Sequence, residues 1–155
     1  MHARDLMTSP TMTCHVNDPL TVAAARMWDA DIGVVAVVND DGKLTGVITD
    51  RDICMAAFTQ GRALDTMLVN SAMAKHVVSA RPDANLTEIE QLMAKHQVRR
   101  IPIVDESGKP IGIVSLNDLA IEIAKPNSAV KHGPSKLAHM LAAICQRRAQ
   151  APKAA

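Results

Sequence analysis

The chain repeats itself once, at an offset of 66 residues. Met7 falls on Met73, and the register continues without a gap as far as Cys54 on Ala120. Superimposed glycines and an acidic residue in a gapless register indicate a duplicated structural unit. The identical positions include Leu20/Leu86, Thr21/Thr87, Met27/Met93, Val38/Val104, Gly42/Gly108, Lys43/Lys109, Gly46/Gly112 and Asp52/Asp118.

Each copy has the same order of hydrophobic patterns. Apolar residues at helical spacing come first, followed by two short apolar runs that a glycine-containing acidic loop connects, and then by a second helix. We therefore predict a short strand, a helix, two strands and a helix in each copy, a β-α-β-β-α unit. The predicted strands are Val34–Val38, Leu44–Ile48, Ile101–Val104 and Ile111–Val114, and the second helices begin near Asp50 and Leu116.

One unit of about 60 residues exposes too much apolar surface to be stable alone. The strand runs are almost wholly apolar, which indicates burial on both faces. We therefore expect an α+β fold in which two pseudo-symmetric repeats pack sheet to sheet. The predicted boundaries are residues 1–62 for the first repeat, 63–125 for the second, and 126–155 for a basic C-terminal helix and tail.

Composition excludes several classes of protein. The chain has one Trp, one Phe and no Tyr, and its net charge is +1, which argues against base stacking and phosphate-backbone binding to nucleic acid. No apolar run is long enough to cross a membrane, and the N-terminus is too polar for a signal peptide. Three unpaired cysteines favour the reducing cytoplasm. No motif of an enzyme active site is present, so we expect no catalysis.

Two segments carry a recognisable signature. They read VVNDDGKLTGVITDRD at residues 37–52 and IVDESGKPIGIVSLND at residues 103–118. The arrangement resembles the CBS domain, occurring twice as the tandem pair called a Bateman module, over roughly residues 3–125.

The resemblance implies a regulatory, ligand-sensing function. Such modules bind adenosine compounds such as AMP or ATP in two clefts between the repeats, need no cofactor for catalysis, and act on another protein. We expect an adenine nucleotide as ligand, a homodimer and an unknown target protein, with no nucleic-acid or membrane partner. The alternative is a ligand-free or metal-binding interaction protein of the stress response, for which Cys14, His15, His2, His76 and Cys54 are possible zinc ligands.

The resemblance also implies two sets of ligand-binding residues. The first set, expected to hold a nucleotide phosphate through its arginines, is Thr49, Arg51, Asp52, Val78, Val98, Arg99 and Arg100. The second set, expected to lack such cations, is Met12, Ile32, Gly33, Ser115, Asn117 and Asp118.

Each assignment has a structural alternative. Asp52 and Asp118 either accept hydrogen bonds from ribose hydroxyls or complement the positive N-terminus of a helix. Val78 and Val98 either flank adenine or belong to the core. Because side chains alternate along a strand, we expect only one of Arg99 and Arg100 to reach a cleft.

The C-terminal segment differs in charge from the rest. Residues 1–125 carry 12 basic and 16 acidic side chains, whereas residues 126–155 carry five basic side chains and no acidic one. We predict a helix from Ser135 to about Arg148 with Leu137, Met140, Leu141 and Ile144 on one stripe. It either docks on the module or a second copy, or is attracted to an acidic partner or anionic membrane. Residues after Gln150 are predicted to be disordered.

Overall fold

The computed structural model describes residues 1–125 and 134–145. The α+β architecture of two repeats is confirmed, except that the first strand of the second repeat is reduced to a single bridge between Ala80 and Ile103. The elements are α1 (Ala3–Leu6), β1 (Thr13–His15), α2 (Leu20–Asp29), β2 (Val34–Val38), β3 (Leu44–Thr49), α3 (Asp50–Gln60), α4 (Leu86–His96), β4 (Arg100–Val104), β5 (Pro110–Ser115), α5 (Leu116–Ala124) and α6 (Pro134–Cys145).

The strands form one small sheet in each repeat. In the first sheet, β1 is parallel to β2, and β2 is antiparallel to β3. In the second sheet, β4 and β5 form an antiparallel pair. The hairpin loops bend at Gly42 and Gly108, whose φ angles of 73° and 83° lie in the left-handed region that favours glycine. The predicted hairpins are thereby confirmed.

Each repeat has its own hydrophobic core, and the segment that precedes each repeat packs on the other one. The amide of Ala3 donates to the carbonyl of Ala84 at 2.8 Å, so α1 belongs to the second core. In the same way, the amide of Leu20 donates to the carbonyl of Met67 at 2.8 Å, and Met67 lies in the first core. This exchange ties the two repeats into one unit.

The strand glycines accommodate this exchange. A Cβ atom on Gly46 would lie 2.6 Å from Sδ of Met73 and 3.0 Å from the carbonyl oxygen of Ala74. Met7 lies equally close over Gly112, at the pseudo-symmetric position. The two glycines are therefore required by methionines of the exchanged segments, not by a ligand.

The C-terminal helix α6 packs along α4, which bears out docking on the module. Ile144 is 7% exposed and joins the core of the second repeat, whereas Leu141 is 37% exposed. The side chains of Leu137 and Met140 and the chain beyond Cys145, including the predicted end of the helix and the predicted disorder, lie outside the described residues. Within residues 1–125 and 134–145, the helices are too short or too polar to cross a membrane.

Candidate ligand-binding cleft

The two predicted acidic residues begin as helix caps. The amide and hydroxyl of Thr49 donate to Oδ2 of Asp52 at 2.9 and 2.7 Å, and the amide of Asp52 donates back to the Thr49 hydroxyl at 3.2 Å. Ser115 and Asp118 form the same capping box at the start of α5, with distances of 2.7, 2.6 and 3.3 Å. The capping role is therefore real. It occupies one carboxylate oxygen of each residue, and among the described residues Oδ1 accepts no hydrogen bond.

An open cleft of about 920 Å³ lies between the two repeats. All six residues of the second predicted set line it, and so do Arg99 and Arg100. Its walls come from both repeats and from the segment before β1. The lining residues are Thr8, Pro10, Thr11, Met12, Ala30, Asp31, Ile32, Gly33, Val34, Asp50, Arg99, Arg100, Ile113, Ser115, Leu116, Asn117 and Asp118.

The two arginines lie beside Ser115, whereas the sequence assigned them to the set that contains Thr49. The reason is the register of the second hairpin, in which Arg100 of β4 is paired directly with Ser115 of β5. The amide of Leu116 also donates to the carbonyl of Arg99 at 2.9 Å. The cleft that was expected to lack cations therefore contains two guanidinium groups.

Both arginines are exposed and both line this cleft, although only one was expected to reach a cleft. The alternation of side chains applies only within a regular strand. Because β4 begins at Arg100, Arg99 precedes the strand and is not bound by its pleat.

Gly33 provides space for two opposite charges in the cleft. A Cβ atom at this position would lie 3.2 Å from Oδ2 of Asp50 and 3.4 Å from Nη2 of Arg100. The first repeat has glycine here, where the second repeat has Arg99. Asp50 is a cleft residue that the sequence interpretation missed. The signal available was its replacement by Leu116 at the equivalent position of the second repeat.

Five residues of the first predicted set are placed elsewhere. None of them lines the cleft of about 920 Å³. Val78 and Val98 are half-buried and pack against the core of the second repeat, which favours their structural alternative. Thr49 and Asp52 are half-buried in their capping box, and Arg51 is exposed.

The cysteine and histidine residues considered as zinc ligands are dispersed. Cys14 is 2% exposed in β1, and its burial, reinforced by the nearby Asp18 carboxylate, raises the pKa of its thiol to about 11. Nε2 of the adjacent His15 is 2.9 Å from Oδ1 of Asp40. Across the two described stretches of the chain, no three His, Cys, Asp or Glu side chains are grouped so that they could hold a metal ion.

Comparison with known proteins identifies the two repeats. The family model of the CBS domain matches residues 3–58 and 69–125. The chain belongs to the CBS domain family. It is 40% identical over 126 residues to the CBS domain-containing protein YhcV of Bacillus subtilis, with 81% of this chain and 88% of that protein covered.

Two solved CBS-pair structures have similar folds. Hypoxic Response Protein I, described with two coordinated zinc ions, matches with a TM-score of 0.71 and 31% identity over 78% of this chain and 98% of that one. The Mycobacterium tuberculosis sequence of hypoxic response protein 1 is 32% identical over 118 residues, 76% of this chain and 82% of that protein. The CBS domain pair of protein MJ0100, in complex with 5'-methylthioadenosine and S-adenosyl-L-methionine, matches with a TM-score of 0.72 and 25% identity over 79% of this chain and 95% of that one.

Proposed function

We propose that this CBS pair senses an adenosine-containing compound in the cleft of about 920 Å³ and regulates another protein through it. The observation that carries the proposal is the meeting of Arg99 and Arg100 with Ser115 and Asp118 along one cleft. Guanidinium groups suit phosphate, and a carboxylate suits the paired hydroxyls of a ribose.

The cleft offers a partner for each part of such a ligand. Oδ1 of Asp118 is available for ribose because the capping box uses Oδ2. Met12, Ile32 and Ile113 supply apolar surface for the adenine ring. The preferred site is therefore the second predicted set together with the two arginines, in place of the first set that the sequence favoured.

A ligand in this cleft would contact both repeats at once. Gly33 and Met12 belong to the first repeat and its preceding segment, whereas Arg100 and Ser115 belong to the second repeat. Binding therefore favours one relative arrangement of the repeats, which a target protein can distinguish from the unliganded arrangement.

We also propose that the protein functions as a homodimer in the cytoplasm and has no catalytic role. The support for a reducing compartment is that Cys14, Cys54 and Cys145 are all free thiols. The adenosine complexes of the MJ0100 pair support the ligand class.

Thermal unfolding with AMP, ATP, S-adenosylmethionine, 5'-methylthioadenosine and adenosine tests the proposal. At a ligand concentration of about 100 Kd we expect about 2.7 kcal/mol of added stability, and Tm should rise by roughly 5–10 °C. Asp118→Ala should abolish this rise. Asp52→Ala loses the same capping bonds and serves as the matched control, because it should lower the baseline Tm and keep the rise. No rise with any of these compounds, or a rise that only Asp52→Ala removes, would contradict the proposal.

A further inference from the structure

The only two aromatic residues of the chain lie on its surface. Trp28 of α2 is 87% exposed, and Phe58 of α3 is 82% exposed. Both helices belong to the first repeat and pack against each other. The equivalent positions of the second repeat are Ala94 and Ala124, so the large apolar side chains occur on one repeat only.

The same face has an apolar groove of about 430 Å³ between α2 and α3. Trp28 forms part of its wall, and Phe58 follows directly after the wall residue Ala57. Small side chains such as Ala24 and Cys54 keep the groove open. The face therefore presents a pair of projecting aromatic rings beside a space in which an aromatic ring can be buried.

On the second repeat, a helix of this chain covers the equivalent face. Ile144 of α6 joins the core that contains Met93 and Leu119, which are the counterparts of the groove residues Met27 and Ile53. Nε2 of Gln97, the counterpart of the groove residue Asp31, donates to the carbonyl of Ala143 at 3.4 Å. The first repeat has no such cover among the described residues.

We infer that the groove face of the first repeat binds the same face of a second copy, which deepens the homodimer part of the proposed function. A face that carries both the projection and the recess is self-complementary under a two-fold axis. The four aromatic side chains of such a pair would bury roughly 600–1,000 Å² at about 150–250 Å² each. The groove walls would supply the remainder of the roughly 1,200–2,000 Å² that a stable interface buries.

Two further features follow from this arrangement. Because α6 closes the equivalent face of the second repeat, the assembly stops at two copies. Asp31, Ile32 and Asp50 line both the groove and the ligand cleft, so the second copy would lie directly beside the proposed ligand.

Sedimentation equilibrium and Trp28 fluorescence on the full chain test the inference, because Trp28 is the one tryptophan and reports on its own burial. The wild type should become dimeric as its concentration rises, and its emission should move to shorter wavelength over the same range. Phe58→Glu keeps the reporter and should weaken the dimer at least ~30-fold, as expected for a buried aromatic anchor. Ile121→Glu is the matched control on α5, where Ile121 is 64% exposed, and should leave the dimer unchanged.

Each outcome is interpretable separately. A monomer with unshifted emission at every concentration would overturn both the face and the homodimer, while the thermal shifts with adenosine compounds would still decide the ligand. A dimer that resists Phe58→Glu, or that Ile121→Glu dissociates, would overturn the face and leave the homodimer standing. Because Phe58 is exposed, circular dichroism of the variant should match that of the wild type.

Discussion

Asp50→Asn tests the electrostatics of the proposed cleft. Oδ2 of Asp50 and Nη2 of Arg100 lie 3.2 and 3.4 Å from one point above Gly33, so they are at most 6.6 Å apart. In water, unit charges separated by about 4–7 Å interact by roughly 0.6–1 kcal/mol. Asp50 therefore repels a phosphate that approaches Arg100, and it offsets part of the attraction of the guanidinium group.

Removal of this charge should tighten the binding of anionic ligands. A phosphate with nearly two negative charges gains roughly 1–2 kcal/mol before salt screening, so we expect the Kd for AMP to fall about threefold to tenfold. The Kd for neutral adenosine should not change. The amide of Arg51 donates to Oδ1 of Asp50 at 2.7 Å, and asparagine retains an acceptor for this bond.

Isothermal titration calorimetry with AMP and adenosine, at two salt concentrations, measures the effect. Asp83→Asn removes the same charge outside the cleft and is the control. The reasoning is refuted if Asp50→Asn leaves the Kd for AMP unchanged or raises it, or if the Kd for adenosine falls to the same extent.

Three further predictions concern stability and reactivity. Thr49→Ala removes half of a capping box and should cost about 1 kcal/mol, measured by urea unfolding, whereas Thr49→Ser should cost much less. At pH 8 the thiol of Cys14 remains protonated because its pKa is about 11, so a thiol reagent should modify Cys54 rapidly and Cys14 only after unfolding. Gly46→Ala should destabilise the fold by about 1–3 kcal/mol through overpacking on Met73, and Met73→Ala should relieve part of this cost.

The raised pKa of Cys14 also sets the sign of a pH effect. The unfolded chain ionises this thiol near its ordinary pKa of 9.0, while the folded chain keeps it protonated up to about 11. The contribution is therefore fully present below pH 9 and is lost at up to about 1.4 kcal/mol per pH unit as the pH rises toward 11. A Cys14→Ala variant that shows the same loss over this range would contradict the assignment.

The secondary structure followed closely from local patterns. Helices α3 and α5 begin at Asp50 and Leu116, as predicted, because Thr49 and Ser115 cap them through side chains only three residues away. The strand bounds differ by no more than one residue from the predicted ones. Such features depend on neighbours in sequence, and a duplicated pattern states each of them twice.

The partners across the two repeats did not follow in the same way. The exchange that brings Met7 onto Gly112 depends on tertiary packing, for which neither segment carries a local signal. The position of the arginines had a usable signal, since the loop Asp105–Gly108 sets a hairpin register that pairs Arg100 with Ser115. The carry-over of ligand residues from the family pattern took precedence over that register, and it assigned both arginines to the other set.

A crystal structure of the protein with bound AMP tests the central claim most directly. We expect the phosphate against Arg99 and Arg100, and the ribose hydroxyls within hydrogen-bond distance of Oδ1 of Asp118. Nucleotide bound beside Thr49 and Asp52, with the cleft between the repeats empty at saturating AMP, would contradict the account.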